Sequence, residues 1–191
     1  MLSLLLIAAC MSSALGFVYL QTKGPIEQAM QMKINNAIAA VVPAYDNVPA
    51  EEKKIIEDIE IYIARKGQEK VGIAVKTYTN KGFNGYISLI VGFLPDGSIY
   101  NISVLDQKET PGLGSKMSEP TFINQFRGKD PGNFKLSVKK DGGDVDAITA
   151  STISSRAFCD AIIRAYNICK QGGMYPDLSA SIFIENKTAD N

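Results

Sequence analysis

The sequence predicts an α+β protein. One N-terminal transmembrane helix leads into a single domain, a twisted, mainly antiparallel sheet with helices packed against it. Three observations predict this. Leu2–Leu20 is uncharged and mostly apolar. Between Ile59 and Leu105, apolar residues alternate in short runs divided by turn residues. From Thr152 to Lys170, apolar residues recur at helical spacing.

At about 1.5 Å per residue, Leu2–Leu20 just crosses a hydrocarbon core of about 30 Å. Tyr19 suits the interface, and Ala8, Ala9, Ser12, Ser13, Ala14 and Gly16 allow another helix to pack closely. A cleaved signal peptide is opposed by the lack of a basic segment before the apolar run. A lipoprotein signal at Ile7-Ala8-Ala9-Cys10 is opposed by the apolar run that continues past the cysteine. Lys23 and Lys33 follow the span and no Lys or Arg precedes it, so charge bias does not place the C-terminal domain outside.

Pro25 to about Val42 predicts a second helix opened by its proline, with Ile26, Ala29, Met30, Ile34, Ala37 and Ile38 at helical spacing. Pro43 to Pro49 ends it. Glu51–Ala64 begins as a charged helix or turn and passes into the alternation Ile59, Ile61, Ile63. Val71, Ile73 and Val75 predict a strand, and Tyr86–Leu94 a central one. Pro95-Asp96-Gly97 predicts a hairpin turn, since proline presets φ and glycine accepts positive φ. Its partner strand is Ile99–Leu105, with Tyr100, Ile102 and Val104 on one face. Phe134–Val138 and Val145–Ile148 are two further short strands. The last helix runs from about Thr152 to Lys170 with Phe158, Ala161, Ile162, Ala165, Ile168 and Cys169 as its apolar stripe, and Gly172-Gly173 ends it. The tail holds Ile182, Phe183 and Ile184 but ends polar.

Composition excludes several chemistries. Twenty Lys and Arg balance twenty Asp and Glu, so nothing in the charge points to nucleic acid or an acidic polymer as partner. There is no histidine, so His-dependent triads and His-ligated metals are out. Cys10, Cys159 and Cys169 show no CxxC spacing, and no metal site is expected. Cys159 and Cys169, ten residues apart on one helix, would lie about 15 Å apart, too far for a disulfide. Redox chemistry would require an organic cofactor.

Two segments carry candidate chemistry. In Glu109-Thr110-Pro111-Gly112-Leu113-Gly114-Ser115-Lys116 the glycines permit close approach of backbone to a ligand, although the spacing is neither a dinucleotide fingerprint nor a phosphate loop. In Asp146-Ala147-Ile148-Thr149-Ala150-Ser151-Thr152-Ile153-Ser154-Ser155, hydroxyls at Thr149, Ser151, Thr152, Ser154 and Ser155 crowd the start of the last helix. A helix N-terminus offers free N–H groups and partial positive charge, which suit phosphate. One Ser or Thr would suffice for a cap, so the surplus is left between cap and ligand.

The stretch Asp146–Thr152 resembles the flavinylation motif Asp-x-x-Ser/Thr-Gly/Ala-Ala/Ser-Thr, and Glu109–Gly114 resembles the Glu-Thr-Pro-Gly-Leu-Gly signature of the same family. With the order of helix, Lys23-Gly24-Pro25-Ile26, Pro43-Ala44 and Gly82–Gly92, the chain is similar to the FMN-binding G component of the Rnf electron transport complex. The C component of the sodium-pumping NADH:quinone reductase is a close relative. Ala150 and Ser151 stand where Gly and Ala are more usual. The resemblance implies one covalent FMN per chain, joined by a phosphoester to Thr152, with no catalytic residue of the chain's own. It implies a cofactor site of Asp146, Thr149, Ala150, Ser151, Glu109, Thr110, Gly112, Leu113 and Gly114, in which Thr149 and Ser151 hydrogen-bond near the phosphate, Asp146 serves recognition or local ordering, and Thr110, Gly112, Leu113 and Gly114 lie along the isoalloxazine ring. It implies a flavin transferase during maturation, partner subunits in a redox-driven translocase, membrane lipid around the helix, and no nucleic acid. The expected location is the bacterial inner membrane, single-pass, with the flavin domain on the periplasmic side. The implied divisions are 1–22 transmembrane helix, 23–50 helical linker, 51–175 covalent FMN-binding domain and 176–191 tail. The alternatives are the quinone reductase's C component itself, or a stand-alone extracellular electron-transfer protein lipid-anchored at Cys10. Two further placements come from the residues alone: Arg156 paired with the phosphate, and Tyr86 stacked on the flavin.

Overall fold

The structure, a computed structural model, describes residues 2–175. Ile182, Phe183 and Ile184 lie outside the described residues. The chain divides into two compact units between Asn36 and Ala37. The first contains most of helix α1, Leu2–Val41, whose apolar part is long enough to cross a membrane and is uncovered by protein. The expected break at Pro25 does not occur, and the proline sits inside α1. A proline removes one backbone donor, the one that would reach the carbonyl of Gln21. Good helix formers on either side, among them Gln21, Glu27, Gln28 and Met30, carry the helix through.

The second unit is built on one five-stranded, wholly antiparallel meander in the order β1-β2-β3-β4-β5. Its strands are β1 Lys54–Ile56, β2 Ile59–Lys66, β3 Glu69–Gly82, β4 Gly85–Phe93 and β5 Ile99–Gln107. The Pro95-Asp96-Gly97 turn forms as expected: Gly97 has φ +88° and donates its N–H to Leu94 O at 2.9 Å. Asp96 accepts from the N–H and hydroxyl of Ser98. One face expectation fails. Ile102 and Val104 pair with Val91 and Leu89, but the register slips between Gly92 and Phe93, leaving Tyr100 without a partner. That bulge turns Tyr100 to solvent and puts Ile99 on the core face in its place.

Helix α3, Thr152–Gln171, covers one face of the sheet. All six residues of its predicted stripe are buried, against Ile61, Ile73, Val75, Leu89 and Val91 among others. Thr77 Oγ1 donates to Ala161 O at 3.1 Å and Thr79 Oγ1 to Asp160 at 2.8 Å, tying helix to sheet. Cys159 and Cys169 are buried free thiols, and burial pushes them up to about 12 and about 11, so both stay protonated at neutral pH. Phe122, Phe126 and Phe158 close one end of the core with centroids 5.1–5.5 Å apart.

The opposite face carries the last turn of α1. A Cβ on Gly92 would lie 1.5 Å from Val41 O, and one on Gly72 would lie 3.1 Å from Pro43 Cδ. The two glycines leave the groove in which the chain crosses the sheet.

Between β5 and α3 run a 3-10 turn Gly114–Ser118, the short helix α2 Pro120–Ile123 and a second 3-10 turn Lys139–Asp141. The strands expected at Phe134–Val138 and Val145–Ile148 reduce to one bridge between Val138 and Val145. A few backbone bonds join the segments, such as Val145 N to Ser137 O and Lys139 N to Val145 O, while side chains take two of their other donors. Asp144 accepts from Lys135 N at 2.8 Å and Gln125 from Asp146 N at 2.8 Å, and Gly142-Gly143 folds the intervening chain into a turn.

Two outcomes follow. Gly92→Ala forces a methyl into the Val41 carbonyl, and overpacking against backbone costs about 3 kcal/mol or more. In the full chain in detergent, thermal unfolding by circular dichroism will drop by roughly 10 °C, or the protein will not accumulate. The second concerns Glu60. Partial burial pushes its carboxyl up, but hydrogen bonds from Lys76 and Tyr62, each 2.6 Å, outweigh this and bring it down to about 2. A depressed carboxylate contributes stability above its unfolded value of about 4.5 that is lost as pH falls toward 2. The melting temperature of the parent will therefore fall more steeply over that window than that of Glu60→Gln.

Candidate functional site

The hairpin joining β3 to β4, the loop after β5 and the start of α3 meet at one end of the sheet. Glu109 is the junction. It is 5% exposed, yet accepts from Asn84 N at 3.1 Å through one oxygen and from Ser154 Oγ at 2.6 Å through the other. Asn84 Nδ2 also donates to Lys108 O at 2.9 Å. A buried carboxyl is tolerated when its oxygens are so occupied. Two glycines make room for it: a Cβ on Gly82 would lie 2.6 Å from Glu109 Oε1, and one on Gly114 would lie 2.5 Å from Oε2.

Above this junction opens a cleft of about 330 Å³. Glu109, Thr110, Leu113 and Gly114 line it from the loop, and Ala150, Ser151 and Thr152 from the helix start. Phe83, Ile153 and Ser154 complete the wall; sequence reasoning missed all three as site residues. Phe83 carried one available signal, an aromatic between two glycines at a hairpin tip. A larger hollow of about 540 Å³ lies along the sheet side of α3, with Lys81, Asp160 and Arg164 in its wall. It is more open, and its lysine already pairs with its aspartate at 2.5 Å. The smaller cleft is the better candidate because both sequence motifs converge on it.

The hydroxyls at the helix start divide by what they already do. Ser155 Oγ donates to Ser151 O and accepts from Ile148 N, each at 3.0 Å. Ser154 is committed to Glu109. Ser151, at the cap position, makes no side-chain cap bond and is buried. Thr152 is half-buried, opens on the cleft and has no side-chain partner among the described residues. The first helical bond is Ser155 N to Ser151 O, so the N–H groups of Thr152, Ile153 and Ser154 have no partner among the described residues. Together with the helix dipole they form an anion seat. Ala150 holds φ +61°, a left-handed conformation that favours glycine.

Other expected site residues lie elsewhere. Asp146 is exposed and pairs with Lys139 at 2.8 Å. It and Thr149 line a neighbouring hollow beside Lys116 and Gln125. Gly112 has φ +75° and donates its N–H to Ser115 Oγ at 2.9 Å, shaping the loop from outside the cleft wall. Arg156 does not face the anion seat: its guanidinium holds Asp141 through two bonds of 2.6 and 2.7 Å, which keeps the Asp141 carboxyl below the usual range. Tyr86 stacks on Tyr78 at 5.9 Å and is not in the cleft wall. Among the described residues no cluster of His, Cys, Asp or Glu could hold a metal.

The donor set therefore suits a ligand with an anionic end at the helix start and a flat apolar end against Leu113, Ile153 and Phe83. Comparison with known proteins agrees. Residues 82–167 match the FMN-binding domain family. The G component of the ion-translocating oxidoreductase complex of Vibrio atlanticus is 35% identical over 87% of this chain and 88% of its own. That of Shewanella amazonensis is 31% identical over 80% and 79%. That of Erwinia tasmaniensis is 41% identical in a match spanning about half of each chain, 54% and 52%. Among solved structures, the C component of the Na(+)-translocating NADH-quinone reductase from Parabacteroides distasonis has the same fold, with TM-score 0.53 and 18% identity over 78% of this chain and 93% of that one. With relatives above 30% identity over most of both chains, this chain belongs to the family of G components of ion-translocating oxidoreductase complexes, and residues 82–167 are its FMN-binding domain.

Proposed function

We propose that the chain is the membrane-anchored electron carrier of an ion-translocating oxidoreductase and holds one FMN through a phosphoester to Thr152. The observation that carries the attachment site is Thr152, in the cleft wall beside three helix N–H groups, its hydroxyl and those N–H groups having no partner among the described residues. Ser154 and Ser155 have their hydroxyls engaged, and Thr149 faces a different hollow. FMN supplies the electron-carrying chemistry, which no side chain here could. The chain's own part is to seat the phosphate at the helix start, to let loop backbone approach the ring at Gly114, and to enclose the ring between apolar walls.

Attachment requires a separate flavin transferase with FAD as donor and Mg²⁺. A bond forms between Thr152 Oγ1 and the FMN phosphorus. The pyrophosphate bond of FAD breaks, AMP leaves, and the hydroxyl proton passes to a base of the transferase. Asp146 and Thr149, exposed beside Lys116 and Gln125, suit recognition by that enzyme more than contact with the bound cofactor. The helix α1 anchors the chain in the inner membrane, and the flavin domain stands on its extracytoplasmic side. There it passes electrons between partner subunits that couple reduced ferredoxin and NAD to Na⁺ or H⁺ movement. Leu2–Leu20 holds no charged residue, so the ion path belongs to those partners.

In the full chain co-expressed with a flavin transferase, a fluorescent band will survive denaturing electrophoresis. Thr152→Ala will abolish it, Thr152→Ser will retain part of it, and Thr149→Ala will not remove it by loss of the attachment atom. A band lost in Thr149→Ala and kept in Thr152→Ala would place the bond on the wrong hydroxyl. Ala150→Gly tests the strained approach to the helix. Relief of a left-handed alanine, roughly 1–2 kcal/mol, exceeds the extra chain entropy of glycine, about 0.5–1 kcal/mol. The variant will melt about 2 °C higher by circular dichroism, with Thr152 still modified.

A further inference from the structure

Phe83 and Asn84 form the tip of the β3–β4 hairpin, between Gly82 and Gly85. The tip is held in place from below: Asn84 donates its backbone N–H to Glu109 and its amide to Lys108 O. Gly85 has φ +95°, and Gly82 has no room for a side chain. With its neighbours pinned, Phe83 is presented on the cleft wall yet remains 65% exposed. The same cleft is lined by Leu113, 41% exposed, and Ile153, 47% exposed. Single exposed apolar residues are ordinary on a protein surface. Three of them, from a hairpin, a loop and a helix, converging on one cleft mark a site for an apolar surface that the described residues do not supply.

We propose that Phe83 is the aromatic platform on which the isoalloxazine ring lies, with Leu113 and Ile153 completing its apolar wall. This rests on the FMN reading of the cleft. A flat, electron-poor ring system gains most from an aromatic face offset against it, and among the described residues Phe83 is the aromatic side chain in the cleft wall. Tyr86, the aromatic expected from sequence, is engaged elsewhere. It stacks on Tyr78, and the Arg164 guanidinium lies 4.3 Å from the Tyr78 ring centroid. The platform makes Phe83 a positioning residue: it fixes the plane of the ring while Thr152 fixes the phosphate.

The test uses the full chain in detergent, flavinylated by co-expression, in parent, Phe83→Trp and Phe83→Ala forms. Intact mass reports the adduct, and circular dichroism melting reports the fold, which an exposed tip residue leaves within a few degrees. An indole at the platform quenches flavin emission by contact. Phe83→Trp will therefore emit several-fold less than the parent in the native state and recover after denaturation. Phe83→Ala will show a lower flavin fluorescence anisotropy, because the ring loses its seat. Either change at constant adduct supports the platform; neither change overturns it. Loss of the adduct in Phe83→Ala with retention in Phe83→Trp also supports it, since the transferase would then need the ring seated. Absence of adduct from the parent overturns the covalent reading instead. Titration with free FMN then decides the platform: affinity about tenfold weaker in Phe83→Ala supports it, and equal affinity overturns it.

Discussion

The buried carboxyl of Glu109 is the constraint on which the site depends. It cannot sit at 5% exposure without partners, and the two it accepts from belong to different parts of the chain, Asn84 on a hairpin and Ser154 on a helix. Satisfying one polar group therefore clamps three segments together. The clamp explains both flanking glycines, since any Cβ at Gly82 or Gly114 would fall within 2.6 Å of the carboxyl oxygens. It also explains why Ser154, one of a crowd of hydroxyls, is not available to a ligand.

Sheet and helix supply the rigid frame for this junction. The meander is covered on one face by α3 and on the other by the chain crossing at Gly92 and Gly72. The sheet so covered is the frame on which the hairpin tip and the helix start are set. The site occupies the end of the layer, where loops can approach a ligand without disturbing the core.

What the sequence made legible followed from periodicity and local turn chemistry. The stripe from Phe158 to Cys169, the strand runs and the Pro95-Asp96-Gly97 turn depend on neighbours along the chain, and they appear as expected. The failures came from choices made at a distance. Pro25 did not end its helix, because good helix formers flank it and one lost rung is a local cost. Tyr100 left its face because of a bulge that no alternation pattern encodes. Phe134–Val138 and Val145–Ile148 carry strand-like composition, but Asp144 and Gln125 capture two of their donors. At the site, Thr110, Leu113, Gly114, Ala150, Ser151 and Thr152 stood out as motif residues. Phe83 did not, and Ser154, one hydroxyl among several at the helix start, gave no sign of its role, because the place of both depends on the tertiary junction at Glu109. Asp146 and Thr149 share a motif with Thr152 but fall on a different surface, since the chain reverses direction at the left-handed Ala150.

Among the described residues, the cleft wall contains no lysine or arginine. A phosphate held there would be met by amide dipoles and neutral hydroxyls, without a cationic side chain, and the strength of such partners is modest. Reversible occupancy of such a seat would be incomplete wherever free flavin nucleotide is scarce. The tether proposed at Thr152 would change the arithmetic: it would keep the ring at an effective concentration on the order of millimolar beside its own cleft, so that a weak grip would become compatible with permanent ownership.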